Sequence, residues 1–393
     1  PEAPPPPTPR PRAARGHRRP GAHCRAALPA AIRPPPGHAP MPVDPAPGHT
    51  PSLMAREAAE APQAVARLLA TDVERYAELG ERLRRQPGAA VITLARGSSD
   101  HAAQHLAYLV MARQGRLVTS LPPSLLTLYD APLPAAQLVA LAFSQSGRSP
   151  DLVEPLQRLR AGGATTVAFV NDAGSPLAAA AEHPLPLHAG AERSVAATKS
   201  FIAQLVAGAR LLAAWQGDAA LAAALQALPE ALARAAAQDP AAGLAPWTMA
   251  RQLYVIGRGP GLAVAQELAL KFKETCGLQA EAFSGAELAH GPLALVQPGW
   301  PLLVLAPRGP AQAGLVALAQ QQAARGAAVL LVAPPGTPGT AGLRVLPAVA
   351  TAHADLDAIA LVQALYPVIE ALSRALGRDP DQPPGLQKVT LTR

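Results

Sequence analysis

The sequence predicts an α/β protein that contains two copies of one domain, each a parallel sheet with helices on both faces. The first observation is an internal repeat: VITLARGSSDHAAQHLAYL from Val91 matches LYVIGRGPGLAVAQELALK from Leu253, with equivalent residues 162 positions apart. The same spacing holds for two further pairs of segments, 141–147 with 303–309 and 167–170 with 329–332. Because the register survives without an insertion, we interpret the chain as a duplicated fold.

The second observation is the order of patterns within each copy. An apolar strand leads through a glycine-containing turn to a helix, followed by a second strand, a turn of small residues, another helix and a third strand. This alternation is typical of a parallel sheet covered by helices. Ligands of such sheets bind beyond the carboxyl ends of the strands, at a topological switch point. We therefore look for chemistry in the turns after the first and second strands.

Composition agrees with a soluble protein of two domains. The 393 residues suffice for two cores, and with 49% apolar but 3% aromatic residues those cores must consist mainly of Ala, Leu and Val. The Ala/Leu-rich segment from Leu211 to Ala237 is interrupted by Asp218, Glu230 and Arg234. We therefore expect no membrane span.

Charge and cysteine content argue against several further classes. The net charge is +7, but residues 1–50 contain seven Arg and only two acidic residues, which leaves a nearly neutral body and no nucleic-acid partner. Cys24 and Cys276 are too few for a disulfide framework or a cysteine metal site, and they fit a reducing cytoplasm. GRGPG at 257–261 lacks the GxGxxG spacing of dinucleotide sites. We expect neither a cofactor nor a metal.

Two hydroxyl-rich turns in the first copy predict a phosphate site. Ser144–Ser149 follows the second strand and Arg96–Asp100 follows the first, each just before a helical pattern. Hydroxyls and free backbone N–H groups at a helix start attract anions. The alternative is that these side chains only cap their helices. In the second copy Ala306-Pro307-Arg308 replaces the serines, so we expect only the first copy to bind phosphate.

The second copy contains a helix rich in ionisable residues. Glu267, Lys271 and Glu274 are spaced so that they share one helical face, whereas Lys273 points elsewhere. Such a stripe is often only a solvated ladder of ion pairs. Here it lies near the mouth of the sheet and is followed by His290, which makes it a candidate catalytic surface.

Several long motifs in this order resemble a known family. SQSG, SVAATKSF, ALKFKE, AEAFSGAELAHGPLAL and the tail GRDPDQPPGLQKVTLTR are similar to the isomerase portion of glutamine–fructose-6-phosphate aminotransferase and to glucosamine-6-phosphate deaminases of the SIS (sugar isomerase) kind. The resemblance extends from about Met54 to the C-terminus. It implies two tandem SIS domains with flavodoxin-like sheets.

The resemblance also implies roles for individual residues. Glu274 would move a proton between C1 and C2, Lys271 would assist it, and His290, reaching across a homodimer interface, would open the sugar ring. Lys388 in the tail would cover the substrate and form a Schiff base, although it could equally be a solvated charge. The residues expected to bind the sugar phosphate are Ser98, Ser99, Ser144, Gln145, Ser146 and Ser149, with the backbone at Val195.

These roles suit the chemistry of aldose–ketose isomerisation. One carboxylate can carry a proton through an enediol or enolamine, and histidine can give and accept protons near neutral pH. Lysine imines with carbonyl substrates are an established covalent device. We therefore expect an enzyme that acts on an amino-sugar phosphate.

The implied domain boundaries follow the same motifs. We divide the chain into a disordered Pro/Arg-rich leader (1–53), an N-terminal helical segment (54–88), a first SIS domain with the phosphate site (89–217), a helical linker (218–247), a second SIS domain with the catalytic glutamate and histidine (248–377), and a tail over the active site (378–393). The leader has no hydrophobic period. Its Arg-rich, acid-poor composition is similar to a transit peptide, but we interpret it as an overextended reading frame, because Met41 and Met54 both precede the ordered pattern.

Deamination of glucosamine 6-phosphate to fructose 6-phosphate and ammonia is the expected function. Residues 1–50 cannot form the glutaminase domain that supplies ammonia to the aminotransferase, and the turn ARGSSDH and Arg148 resemble the deaminase branch. Alternatives are a deaminase or deglycase for another amino-sugar phosphate, an aminotransferase homologue without a glutaminase, or a non-catalytic phosphosugar sensor. A sensor has no reason to keep Glu274, His290 and Lys388 together.

Overall fold

Two parallel five-stranded sheets form the framework of the protein, as seen in a computed structural model that describes residues 51–86, 89–239 and 247–388. The first sheet has the order β2-β1-β3-β4-β5 and the second the order β10-β9-β8-β6-β7. Counted within its own copy, each sheet has the order 2-1-3-4-5 of a flavodoxin-like fold. The strands are β1 Ala90–Leu94, β2 Val118–Ser120, β3 Leu138–Ser144, β4 Thr165–Val170, β5 His183–Pro186, β6 Gln252–Gly257, β7 Gln279–Ser284, β8 Pro301–Leu305, β9 Ala328–Ala333 and β10 Leu343–Pro347.

Helices precede, connect and cover the two sheets. They are α1 Leu53–Ala59, α2 Ala61–Ala70, α3 Val73–Arg84, α4 Gly97–Gln114, α5 Ser124–Thr127, α6 Pro150–Ala161, α7 Pro176–Ala180, α8 Lys199–Gln216, α9 Ala219–Gln226, α10 Leu228–Ala236, α11 Pro260–Lys271, α12 Gln312–Ala324 and α13 Asp357–Ala375. A π-helical turn, Phe272–Cys276, continues α11, and short 3₁₀ helices span Glu287–His290, Pro292–Leu295 and Ala354–Leu356. Residues 1–50 of the predicted leader (1–53) lie outside the described residues, whereas Leu53, at its predicted end, already begins α1.

The duplication predicted from the sequence is confirmed by the architecture. The strands β1 and β6 begin 162 residues apart, at Ala90 and Gln252, and so do the helices α6 and α12. The register agrees as well, because Ile92 pairs with Ala140 as Tyr254 pairs with Leu302. The edge strands β2, β5, β7 and β10 were not predicted. β2 has one half-buried and two exposed residues, and β5 contains two prolines, which an edge strand tolerates.

One hydrophobic core joins the two copies. It contains apolar residues from one face of each sheet and from the helices α4, α8, α11 and α13 that lie between the sheets. Smaller clusters cover the outer faces, under α6 and α7 in the first copy and under α12 in the second. The central strands β3 and β4 are almost entirely buried, as expected for parallel strands covered on both faces.

One helical stretch in the described part of the chain, Ala354–Ala375, is long and apolar enough to cross a membrane by length and composition. This stretch contradicts the expectation from the sequence that no segment has the length and composition of a membrane span. However, 83% of its most apolar window is buried inside the protein, and α13 is a central helix of the shared core. Burial between two sheets accounts for its composition.

The helices α3 and α8 approach each other closely at Gly80, and a substitution there tests this packing. A Cβ atom added at Gly80 would lie 2.5 Å from the backbone carbonyl of Ala214, which cannot move like a flexible side chain. We expect Gly80→Ala to destabilise the protein by about 1–3 kcal/mol through overpacking. The measurement is the free energy of unfolding in urea.

The matched control is Gly314→Ala in α12, where an added Cβ meets no atom within 4 Å. Because alanine favours a helix, this change should be neutral or stabilising by about 0.5–1 kcal/mol. Equal effects of the two substitutions would contradict the tight α3–α8 contact.

Candidate active site

The two serine-containing turns lie side by side at the switch point between β1 and β3. Arg96, just before α4, donates from Nε to Oδ2 of Asp151 in the first turn of α6, at 2.9 Å. Asp151 is buried. The ion pair therefore ties together the starts of two helices, where backbone N–H groups favour an anion.

The turn after β1 connects the two copies of the fold. Ser99 is buried and its Oγ accepts a hydrogen bond from Nε2 of Gln204 in α8, at 2.9 Å. Ser98 Oγ accepts from Nζ of Lys271 in α11, at 3.0 Å. Adjacent serines of the first copy thus contact the two helices that pack beside α4.

The turn after β3 is shaped by its own hydroxyls. Ser144 Oγ accepts from the backbone N–H of Gly147 at 3.0 Å, and Ser146 Oγ accepts from that of Arg148 at 3.3 Å. Gly147 has φ +63°, and a Cβ atom there would lie 2.2 Å from Ser175 Oγ, so only glycine fits. A hydroxyl that accepts one hydrogen bond can still donate its own proton, which suits a phosphate oxygen.

The corresponding turn of the second copy contains an internal ion pair. Arg308 donates to both carboxylate oxygens of Asp357, at 2.6 and 2.7 Å, and to the carbonyl of Thr351 at 2.7 Å. Asp357 is the first residue of α13. Arg308, which stands where the first copy has Ser146, is therefore paired with a carboxylate of the same chain, that of Asp357.

A buried lysine lies at the centre of the candidate site. Lys271 is 1% exposed, and its Nζ contacts Glu274 Oε2 at 2.6 Å, Ser98 Oγ at 3.0 Å and Glu267 Oε1 at 3.3 Å. An ammonium group has three donors, so all of them are used. Burial alone would lower the pKa of Lys271, but Glu267 and Glu274 outweigh it and raise the pKa above its ordinary value. Lys271 therefore stays an ammonium ion and a poor nucleophile.

Glu267 joins three helices at a fully buried position. Besides Lys271, its Oε1 accepts from the hydroxyl of Tyr366 in α13 at 3.4 Å, and its Oε2 lies 3.1 Å from Nδ1 of His101 in α4. Burial and the neighbouring carboxylates raise the pKa of Tyr366 well above its usual range. Tyr366 thus remains a neutral donor to Glu267.

Glu274 occupies the π-helical turn at the end of α11. Its side chain is 19% exposed, whereas Glu267 is fully buried and Lys273 is exposed. The predicted common face of Glu267, Lys271 and Glu274 is confirmed by their contacts, and burial excludes a solvated ladder. Single π-helical turns often occur at functional sites. Glu274 is the carboxylate of this cluster with access to a ligand.

The C-terminal tail contacts the loop before α8. Lys388 Nζ donates to Oε2 of buried Glu192 at 3.1 Å, and the Val195 backbone N–H donates to the Asp381 carbonyl at 3.5 Å. Burial alone would raise the pKa of Glu192, but Lys388 and hydrogen bonds from Thr198 and Ser200 hold it below its ordinary value. Lys388 therefore has a charged and buried partner, and is more than a solvated tail residue.

The structure brings three of the predicted residues into direct contact and leaves His290 outside their cluster. Ser98, Lys271 and Glu274 are in direct contact. His290 is exposed at the end of a 3₁₀ helix, and no contact in the described ranges joins it to Lys271. Four residues of the site were not predicted from the sequence: His101, Tyr366, Gln204 and Glu192. Each of them contacts a predicted residue or loop from a distant part of the chain, and no periodic pattern in the sequence indicates these contacts.

Metal and thiol chemistry find little support in the described part of the chain. Within it, no group of three or more His, Cys, Asp or Glu side chains is arranged to hold a metal ion. Cys276 is free and buried, and burial raises the pKa of its thiol to about 11. Such a thiol is a weak nucleophile. Cys24 lies outside the described residues.

Removing the Lys271 charge tests the buried cluster. Lys271→Met leaves the Glu267 carboxylate without its cation, so we expect a loss of about 3–5 kcal/mol in the free energy of unfolding, measured in urea. Adding Glu267→Gln in the same chain should restore part of the loss. The exposed neighbour offers a control, since Lys273→Met should change stability by less than about 0.5 kcal/mol. A Lys271→Met variant as stable as the control would show that the cluster is not a coupled unit.

Comparison with known proteins places this geometry in a family. The SIS domain model matches residues 86–214 and 248–336. A glutamine–fructose-6-phosphate aminotransferase (isomerizing) from Thermus thermophilus is 33% identical over 334 residues, which cover 80% of this chain and 54% of the relative. That from Aeropyrum pernix is 36% identical over 269 residues, or 64% of this chain and 43% of the relative. The chain thus spans about half the length of these curated relatives.

Solved structures agree with the sequence comparison. A candidate phosphosugar isomerase from Silicibacter pomeroyi is 44% identical, with a TM-score of 0.79 over 84% of this chain and 100% of that chain. Glucosamine-6-phosphate deaminase from Thermotoga maritima shares the fold, with 20% identity and a TM-score of 0.67 over 87% of this chain and 100% of that chain. The family model covers more than half of the chain, on both copies of the duplicated sheet, and the chain therefore belongs to the SIS domain family.

Proposed function

We propose that this protein is an isomerising deaminase that converts glucosamine 6-phosphate and water into fructose 6-phosphate and ammonia. The observation that carries the proposal is the contact of Lys271 with both Ser98 and Glu274. The contact brings a partly accessible carboxylate of the second copy near Ser98, in one of the turns that we assign to the phosphate. This proximity supports a binding mode in which the phosphate lies at those turns and the sugar extends toward Glu274.

In the proposed binding mode the first copy holds the phosphate end of the substrate. Ser98 and Ser99 at the start of α4, and Ser144, Gln145, Ser146 and Ser149 before α6, supply hydroxyl and backbone donors. The backbone at Val195 contacts the sugar from the loop beneath the tail. The Arg308–Asp357 ion pair supports a single phosphate site, because it already occupies the matching turn of the second copy.

The proposed chemistry assigns proton transfers to two groups and supporting roles to two lysines. His290 of the partner subunit moves a proton from the anomeric hydroxyl to the ring oxygen, which opens the ring. Glu274 then removes the proton from C2 and delivers it to C1, producing an imine at C2 that water hydrolyses. Lys271 holds Glu274 in place as an ammonium ion, so it does not itself form an imine. Lys388, released from Glu192, is the lysine suited to form a Schiff base with the C2 ketone of fructose 6-phosphate, a step that releases water.

A cytoplasmic homodimer with an amino-sugar phosphate as its ligand is part of this proposal. The decisive assay uses the full chain with glucosamine 6-phosphate, measuring ammonia and fructose 6-phosphate in parallel. Equal amounts of both products are expected. Turnover only with another amino-sugar phosphate would favour a deaminase or deglycase of that substrate instead. Synthesis from fructose 6-phosphate and free ammonia alone would favour the aminotransferase reaction named for the relatives, and binding without turnover would favour a sensor.

Glu274→Gln tests the proposed base. The amide cannot accept the C2 proton, so kcat should fall by about 10²–10⁴-fold, while the dissociation constant for the sugar phosphate, measured by calorimetry, changes little. Glu287→Gln, at an exposed carboxylate of the neighbouring 3₁₀ helix, is the control. Undiminished turnover by Glu274→Gln would remove Glu274 from this role.

Subunit mixing tests the proposed position of His290. Glu274→Gln and His290→Asn chains should each be inactive as homodimers. After refolding together, a hybrid dimer contains one site with both native groups, so activity should return to roughly a quarter of the unaltered level under two-fold symmetry. Hybrids that stay inactive, or a fully active monomer in sedimentation experiments, would place His290 outside the partner's site.

A further inference from the structure

His101 and Glu267 form a second acid–base pair beside the Lys271 cluster. Nδ1 of His101 lies 3.1 Å from Oε2 of Glu267, whose other oxygen accepts from Lys271 and Tyr366. Four groups therefore form one chain of contacts, from Glu274 through Lys271 and Glu267 to His101. The two ends of this chain are its accessible groups, with side chains 19% and 17% exposed.

The hydrogen bonds determine which imidazole nitrogen is available. As the ionised partner of Lys271, Glu267 can only accept, so Nδ1 of His101 must donate to it. In the neutral ring Nε2 then carries the lone pair. A carboxylate that holds one nitrogen in this way fixes the tautomer and stabilises the imidazolium ion when the other nitrogen takes a proton. Because Glu267 is fully buried, it can serve only as this orienting group.

The position of His101 on α4 relates it to the proposed substrate. His101 follows Ser98 by three residues, so the two side chains lie on one helical face, and both contact α11. Ser98 belongs to the turn that we assign to the sugar phosphate. The imidazole and the proposed substrate therefore share one side of the helix.

We propose that Nε2 of His101 is the general acid–base group for the hydrolysis of the C2 imine. This inference rests on the proposed deaminase function and adds a residue to it. Glu274 is assigned to the C1/C2 proton transfer and His290 to ring opening, and the release of ammonia needs a further proton carrier. His101 supplies it within the same chain.

The proposed step balances in protons and electrons. Nε2 removes a proton from water as its oxygen bonds to C2, and the electrons of the C=N double bond move to nitrogen, which takes the proton from Nε2. The resulting carbinolamine then collapses to the ketone. Nε2 removes the hydroxyl proton as the C=O double bond forms, and the C–N bond breaks with its electron pair on nitrogen, which takes up this proton from Nε2 and leaves as ammonia. The imidazole ends in its starting state.

His101→Asn tests the proposal, because the Asn amide can still donate to Glu267 from a position close to that of Nδ1 but has no counterpart of Nε2. Two rates are measured on the full chain. One is ammonia release from glucosamine 6-phosphate, and the other is the exchange of the C1 hydrogen of fructose 6-phosphate with D₂O, without ammonia. Exchange requires the proposed base Glu274 but breaks no C–N bond.

We expect His101→Asn to lower ammonia release by about 10²-fold or more and to leave exchange within a few-fold of the unaltered enzyme. Glu274→Gln should lose both rates. The control is His353→Asn, at a histidine remote in sequence from the cluster. His353 accepts a hydrogen bond from the backbone N–H of Asp355, as an asparagine also can. This variant should lose neither rate.

The possible outcomes separate the two proposals. Unchanged ammonia release, or parallel loss of both rates in His101→Asn, would overturn the role of His101 while leaving the deaminase intact. Absence of ammonia release by the unaltered enzyme would overturn the proposed function, and the role of His101 with it.

Discussion

The buried ammonium group of Lys271 is the interaction on which the candidate site depends. Removing a charge from water is costly, and the cost is offset only when every donor finds a good acceptor. Lys271 meets this condition with two carboxylates from its own helix and one hydroxyl from the other copy. The same three contacts set the position of Glu274 and bring the two halves of the duplicated fold together at one point. The same buried charge thus positions Glu274 in the candidate site and stabilises the contact between the two copies.

Duplication allowed the two copies to diverge around this charge. The first copy keeps the serine turns at its switch point, where a phosphate can accept hydrogen bonds from hydroxyl and backbone donors. In the second copy Arg308 and Asp357 form an internal ion pair in the matching turn. Its helix α11, packed against α4, instead presents ionisable groups. One site therefore forms from two halves that are no longer equivalent.

Segments distant in sequence complete the site. The tail brings Lys388 to Glu192, and α4 and α13 bring His101 and Tyr366 to the two oxygens of Glu267. Each of these contacts places a charged or polar group against a buried carboxylate. Buried carboxylates without such partners would be strongly destabilising, so the network that orients the side chains of the candidate site also maintains the local fold.

The sequence by itself determined the duplicated α/β fold, because a repeat of 162 residues and the alternation of strand and helix patterns are local properties of the chain. It also indicated the turns that carry the serines, since parallel strands end at one edge of a sheet. The helical spacing of Glu267, Lys271 and Glu274 was likewise local. Only the tertiary structure decided that this stripe is buried, that His101 and Ser98 contact it, and that the apolar helix α13 lies in a core between two sheets. These outcomes depend on contacts between residues far apart in the chain, and such contacts leave no periodic pattern in the sequence.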